Sequence, residues 1–172
     1  MLRIELAFIA MVAVVVVSNV AVLFPINDWL TWGAFSYPVS FLITEMTAWF
    51  HGSKKARNVV YVGFAVGIMI SIVLSTPRIA MASGCAFLFS QLLDITVFGR
   101  LRNISVWWVA PIGASMLASM VDSALFWSLA FYGEDVPFVT WAIGDTFVKF
   151  AVDMLMLLPF RMAFAKQIAR KV

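Results

Sequence analysis

Three charged residues, Asp145, Lys149 and Asp153, run through "WAIGDTFVKFAVDMLMLLPFR", residues 141–161, a segment otherwise apolar enough for hydrocarbon. Spaced four apart, they form one slowly drifting stripe on a helix. Comparable intrusions occur elsewhere: Glu45 in "FLITEMTAW", Gln91 and Asp94 in "FLFSQLLDITVF", and Asp122 in "MVDSALFW". Gln91 and Asp94 share a helix face, as do Ser115, Ser119 and Asp122. If Glu45, Asp94, Asp122, Asp145, Lys149 and Asp153 all faced lipid, the summed cost would be roughly 15–20 kcal/mol. That exceeds the net stability of most domains, so these groups are expected to point inward, toward each other or toward water.

Carboxylates and a glutamine amide are planar acceptors suited to a ligand with adjacent N–H donors. Aromatic residues stand near the outer ends of the second and sixth predicted helices: Trp32, Phe35, Tyr37, Phe41, Trp141 and Phe147. Most of them fit an interfacial belt, with one or two left to line a site. A flat, nitrogen-rich heterocycle matches both sets, and inorganic cations or protons match the carboxylates equally well. Structural glue is the plainer alternative. Interhelical polar contacts contribute only about 0.6 kcal/mol on average, however, and glue does not call for five carboxylates against one lysine. A ligand or ion pathway is therefore the favoured reading, with a Lys149–Asp145 pair also open as an internal strut.

The elements that would carry these residues are membrane helices. The chain has 172 residues, 63% hydrophobic and 12% charged, with mean hydropathy +0.99. A soluble exterior has no use for that much apolar surface. Helices are predicted at about 4–24, 32–50, 59–75, 79–98, 107–132 and 138–160, each near the ~20-residue length of a bilayer crossing. The expected architecture is an all-α, polytopic, single-domain bundle over residues 1–172 with six transmembrane helices. Arg3, "HGSKKARN", "GRLRN" and the tail "RMAFAKQIARKV" hold ten of the twelve Lys and Arg residues. This asymmetry places both termini in the cytoplasm, so the net charge of +3 reports orientation in a lipid bilayer and not a nucleic-acid partner. The first apolar run is read as a retained helix, since it is long for a signal peptide and lacks a clear cleavage site. The single Cys85 excludes an internal disulfide framework, His51 reads as a loop residue, and neither a metal site nor a cofactor is expected.

Two faces of small residues, Gly63-x-x-x-Gly67 and Ala114-x-x-x-Ala118, are ordinary helix-packing surfaces, the first usable within one bundle or in a homo-oligomer. A faint internal echo links "FLITEMTAWFHGSKKARN" at 41 with "FLFSQLLDITVFGRLRN" at 87, each passing a polar pair, Thr44-Glu45 or Ser90-Gln91, before a basic stretch. Both copies would cross in the same direction, as a parallel repeat.

After "SN" at 18–19, the blocks "TWGAFSYPVSFLITEMT", "RIAMASGCAFLFSQLLDITVFGRLR", "WWVAPIGASMLASMVDSALFWSLAF" and "GDTFVK…LLP" occur in order between residues 31 and 159. Together they resemble the queuosine precursor transporter family, within the wider vitamin uptake transporter group. The resemblance implies six membrane helices in a bacterial inner membrane, and import of 7-deazaguanine bases (preQ0, preQ1 or queuine) for tRNA modification. The partner would be a small nucleobase-like substrate, moved by alternating access without covalent chemistry. Carried over residue by residue, the family pattern implies a substrate site at Asn19, Tyr37, Glu45, Arg78, Gln91, Asp94, Asp122, Asp145 and Lys149. Glu45 stands where the family pattern has aspartate, and Asp153 falls outside the pattern.

A pyrimidinone edge presents N–H and NH2 donors side by side, which one carboxylate can accept bidentately. Glu45, Asp94 or Asp122 is expected to hold that edge while Gln91 orients it, with Lys149 balancing Asp145 or carrying a coupling charge. Arg78 reads equally as a surface charge or a gate. Three other classes stay open. A substrate-binding subunit of an energy-coupling uptake system is disfavoured because the first helix lacks Ala-x-x-x-Ala spacing. An intramembrane aspartyl protease is disfavoured because Ala142-Ile143-Gly144-Asp145 breaks the Gly-x-Gly-Asp signature. A non-transporting structural subunit is the last.

Overall fold

A computed structural model describes residues 3–27, 30–103 and 106–168, with side chains through Phe164. The chain forms α1 (Ile4–Ala21), a small hairpin of β1 (Pro25–Asn27) and β2 (Leu30–Thr31), then α2 (Gly33–Ser36) and α3 (Val39–His51). Four long helices follow: α4 (Ser53–Leu74), α5 (Pro77–Leu101), α6 (Val109–Phe131) and α7 (Phe138–Ile168). Of the described helices, α1, α4, α5 and α6 are each long and apolar enough to cross a membrane. The protein is thus a multi-pass, all-α membrane protein, and its outer faces carry large apolar side chains such as Ile9, Val73, Phe89 and Met162.

The second predicted helix is the one that departs most from a plain crossing. Pro38 has no N–H to donate, and the next amides close 3-10 turns instead, Ser40 to Tyr37 and Phe41 to Pro38. This leaves α2 and α3 as separate pieces on either side of a bend. The short α3 lies at the centre of the bundle, packed against α1, α4, α5, α6 and α7. Its burial explains its composition: Ser40, Thr44, Glu45 and Thr47 would be poor lipid-facing residues, and all are buried. Threonine hydroxyls on this helix return to the preceding turn, Thr44 to the Ser40 carbonyl at 2.9 Å and Thr47 to Ile43 at 2.7 Å.

Other boundaries moved for local reasons. The basic stretch at 51–58 is not a loop: Gly52, at φ +83°, is the whole connection, and α4 begins at Ser53. Lys54, Lys55, Ala56 and Arg57 are good helix formers, so hydropathy alone misplaced the helix start. His51 is accordingly the half-buried last residue of α3. The segment expected to loop between the first two helices pairs as the β1–β2 hairpin. Helix α7 runs on past residue 160 despite Pro159, because Phe160 and Phe164 pack into an aromatic cluster with Trp49, Phe50 and Phe98.

The small-residue faces pack within the chain. A Cβ on Gly63 would fall 2.7 Å from Met11 Cγ, and one on Gly67 3.1 Å from Val15 Cγ1, so these glycines let α1 and α4 approach closely. Ala114 and Ala118 are fully buried on α6, which shares its largest interface with α5. The two echoing segments also meet: Thr44 Oγ1 donates to Gln91 Oε1 at 2.6 Å, and Gln91 Nε2 to Ser40 Oγ at 2.6 Å.

Candidate functional site

All seven polar residues singled out within apolar stretches of the sequence point inward: Glu45, Gln91, Asp94, Asp122, Asp145, Lys149 and Asp153 are each buried. They do not share one cleft. One group lines a cavity of about 230 Å³ at the hairpin end of the bundle. The cavity is a partly open cleft bounded by α1, α2, α5, α6 and α7, where Asn19, Tyr37, Asp122, Asp145 and Lys149 all reach its wall. Ligand pockets for drug-sized molecules run from ~300 Å³ upward, so this volume suits a compact ring system.

Lys149 is the electrostatic centre of that group. Its Nζ lies 2.8 Å from Asp122 Oδ2, 2.5 Å from Asp145 Oδ2 and 3.1 Å from Ser123 Oγ, using all three ammonium donors. The i,i+4 spacing of Asp145 and Lys149 on α7 brings the first carboxylate over the ammonium, and the α6–α7 interface brings the second. Ser123 donates to Asp145 Oδ2 at 2.7 Å, and Ser90 to Asp122 Oδ1 at 3.2 Å. The Tyr37 ring sits 5.5 Å from Nζ and edge-on to Phe41 and Phe87. Two carboxylates around one ammonium leave a net acceptor character, and Asp145 Oδ1 takes no hydrogen bond from the described residues. This is an ion triad with a lysine clamped between its acids, unlike the facing carboxyls of an aspartyl protease, which share a proton.

Asn19 is fixed from two sides, its Nδ2 donating to Val15 O at 2.9 Å and its Oδ1 accepting from Ser71 at 2.6 Å. The opposite wall is aromatic. Trp127 stacks on Phe131 at 5.3 Å, meets Phe126 and Trp141 edge-on, and lines the cavity with Phe126 and Phe131.

The remaining predicted residues lie elsewhere. Gln91 is closed into its bonds with Ser40 and Thr44 on α3. Glu45 and Asp94 sit deeper, with Asp153, away from the cavity lining. Arg78 is exposed near the start of α5, bound to Glu134 at 2.9 Å and to the carbonyls of Leu129 and Tyr132, so it ties α5 to the α6–α7 connection. Sequence reading missed Ser18, Ser83 and Trp127 as cavity residues. A serine or tryptophan in an apolar helix carries no signal of its own, although the buried, unpartnered Ser18 Oγ and Trp127 Nε1 show up in the folded chain.

The sequence pattern described as "Putative vitamin uptake transporter" matches residues 31–76 and 69–164. A Haemophilus influenzae protein named "Probable queuosine precursor transporter" is 32% identical over 167 residues, covering 83% of this chain and 71% of its own length. The chain belongs to the queuosine precursor transporter family. A second family member, the Escherichia coli "Queuosine precursor transporter", is 30% identical over 154 residues, 75% of this chain and 70% of that one. A Bacillus subtilis protein named "Probable queuosine precursor transporter" is 27% identical over 168 residues, 80% of this chain and 72% of that one. No solved structure matches this family member significantly.

Proposed function

We propose that this protein imports queuosine precursors, 7-deazaguanine bases, across a bacterial inner membrane, binding them in the cavity between α1, α2, α5, α6 and α7. The observation that carries this reading is the pairing of open carboxylate acceptors with an aromatic wall. Asp122 and Asp145 offer acceptors for the N–H and NH2 donors of a pyrimidinone edge, while Phe126, Trp127 and Phe131 offer apolar faces to the fused rings. Asn19 and Ser83 add polar side chains to the same wall. In this reading Lys149 is the counter-charge held between both aspartates.

The crossing scheme is six segments with both termini inside, α2 and α3 together forming the second crossing, and the hairpin end facing outward. Transport proceeds by alternating access in a single domain, with the cavity as its outward-facing state and Arg78 bracing the outer end. The protein acts without a separate coupling module: the buried face of α1, Ala7, Met11, Val15 and Ser18, is already occupied by its own bundle.

The test is thermal stabilisation of the purified protein by a panel of deazapurines and purines, paired with uptake in a host devoid of energy-coupling modules. Deazaguanines should raise the melting temperature of wild type and not of Asp122→Asn. A panel in which no base shifts the melting temperature would remove the substrate assignment. Uptake that requires an added coupling module would restore the binding-subunit reading.

A further inference from the structure

Deeper in the bundle, away from the hairpin, Glu45 of α3, Asp94 of α5 and Asp153 of α7 come together. They are 3%, 0% and 3% exposed, and none of them lines the cavity. The Thr44–Gln91 bond, beside Glu45 and one turn from Asp94, sets these two carboxyls at the same level of the α3–α5 contact, and α7 also packs against α3. Asp153 Oδ2 accepts from Ser119 at 2.8 Å. By contrast Glu45 Oε1, both oxygens of Asp94 and Asp153 Oδ1 have no hydrogen-bond partner among the described residues.

The charged neighbours are few. Nearest along the helices that carry the cluster and its Ser119 partner stand Lys149, one turn from Asp153 on α7, and Asp122, one turn from Ser119 on α6. Lys149 has already committed its donors to Asp122, Asp145 and Ser123. Three facing carboxylates without a cation repel one another, and each orphaned oxygen carries a desolvation cost. A proton resolves both problems. It turns one carboxylate into a neutral acid whose O–H the facing carboxylate accepts, with no other reactant consumed.

We propose that Glu45, Asp94 and Asp153 form a proton-binding site distinct from the substrate cavity, and that its occupancy is coupled to occupancy of that cavity. Two short routes join the sites. Asp153 lies one helical turn from Lys149 on α7, and Ser119, which holds Asp153, lies one turn from Asp122 and Ser123 on α6. Coupling is reciprocal: a base that binds one protonation state better must shift proton affinity by the same factor. The coupling half rests on the proposed substrate, and the site itself does not.

Infrared spectroscopy of the purified protein without substrate tests the site. A carbonyl stretch of protonated carboxylic acid should persist at neutral pH, shift in deuterium oxide, and lose intensity in Asp94→Asn. Glu45→Gln and Asp153→Asn provide the same readout should Asp94→Asn fail to fold. Absence of that band at neutral pH overturns the site, as does a band unchanged in every variant that folds. Stabilisation by sodium chloride but not by potassium chloride, abolished in the same variants, would assign the cluster to a metal cation instead and overturn it equally. Uptake of a 7-deazaguanine into proteoliposomes tests the coupling. An acid-outside gradient should accelerate uptake several-fold in wild type and leave Glu45→Gln unresponsive, whereas gradient-independent wild-type uptake overturns the coupling. If no base is taken up or bound under any gradient, the substrate reading and the coupling fall together, and the infrared result still decides the site.

Discussion

At Lys149 a single side chain satisfies two aspartates and a serine, and removing it would leave both acids buried without a cation. Breaking a buried pair from one side costs about 3–5 kcal/mol, so Lys149→Met should unfold at markedly lower temperature in detergent. The triple change Lys149→Met, Asp122→Asn, Asp145→Asn should recover much of that loss, because no uncompensated charge remains. Trp127→Leu removes one ring from the aromatic wall, and base affinity should fall by roughly 5- to 10-fold, the worth of one aromatic contact. Equal affinity in both proteins would remove Trp127 from the site. The acids and the lysine were legible in the sequence because charge inside a greasy helix is costly and therefore conspicuous. Their division into two groups was not legible. Helical spacing says which residues share a face, but whether Asp94 meets Glu45 or Asp122 depends on how helices rotate against one another. Gln91 shows the same limit: its type marked it as a ligand group, and its partners turned out to be Ser40 and Thr44.

At the level of elements, the close approach of α1 and α4 depends on Gly63. Its missing Cβ would already sit 2.7 Å from Met11 Cγ, so Gly63→Leu forces the two helices apart. Overpacking of this kind costs about 1–3 kcal/mol, and thermal unfolding should report it while Met69→Leu, at an exposed position on the same helix, leaves stability unchanged. Five long helices could be read directly from hydropathy to within a few residues at most ends. The failures cluster where hydropathy is the wrong guide. Charged but helix-favouring residues hid the start of α4, and Pro38 divided a stretch whose apolar content was continuous. The hairpin was invisible because five residues in two strands leave almost no alternating pattern.

For the whole molecule, the charge asymmetry yields a topology that can be checked directly. In a Cys85→Ser background, a cysteine at Ser75 should react with a membrane-impermeant thiol reagent added outside intact cells, and one at Ser53 only after permeabilisation. The reverse pattern would invert the orientation and turn the cavity toward the cytoplasm. Arg78 offers a second check on the same scale. Its pair with Glu134 is half exposed, so Arg78→Ala should alter stability by less than about 1 kcal/mol, yet it joins α5 to the α6–α7 connection beside the cavity. Uptake rates that change severalfold while melting temperature stays fixed would identify a brace on the outer opening.

The Gln91 amide bonds both Ser40 and Thr44. Two dry hydrogen bonds between α3 and α5 act as a splint, and parting them would strand an amide in a place with nothing to replace its partners. Any rearrangement that exposes the opposite end of the bundle must therefore carry these two helices as one rigid leaf. Spin labels placed on them should keep their spacing with and without a bound 7-deazaguanine, and a change in that spacing would show that the splint gives way.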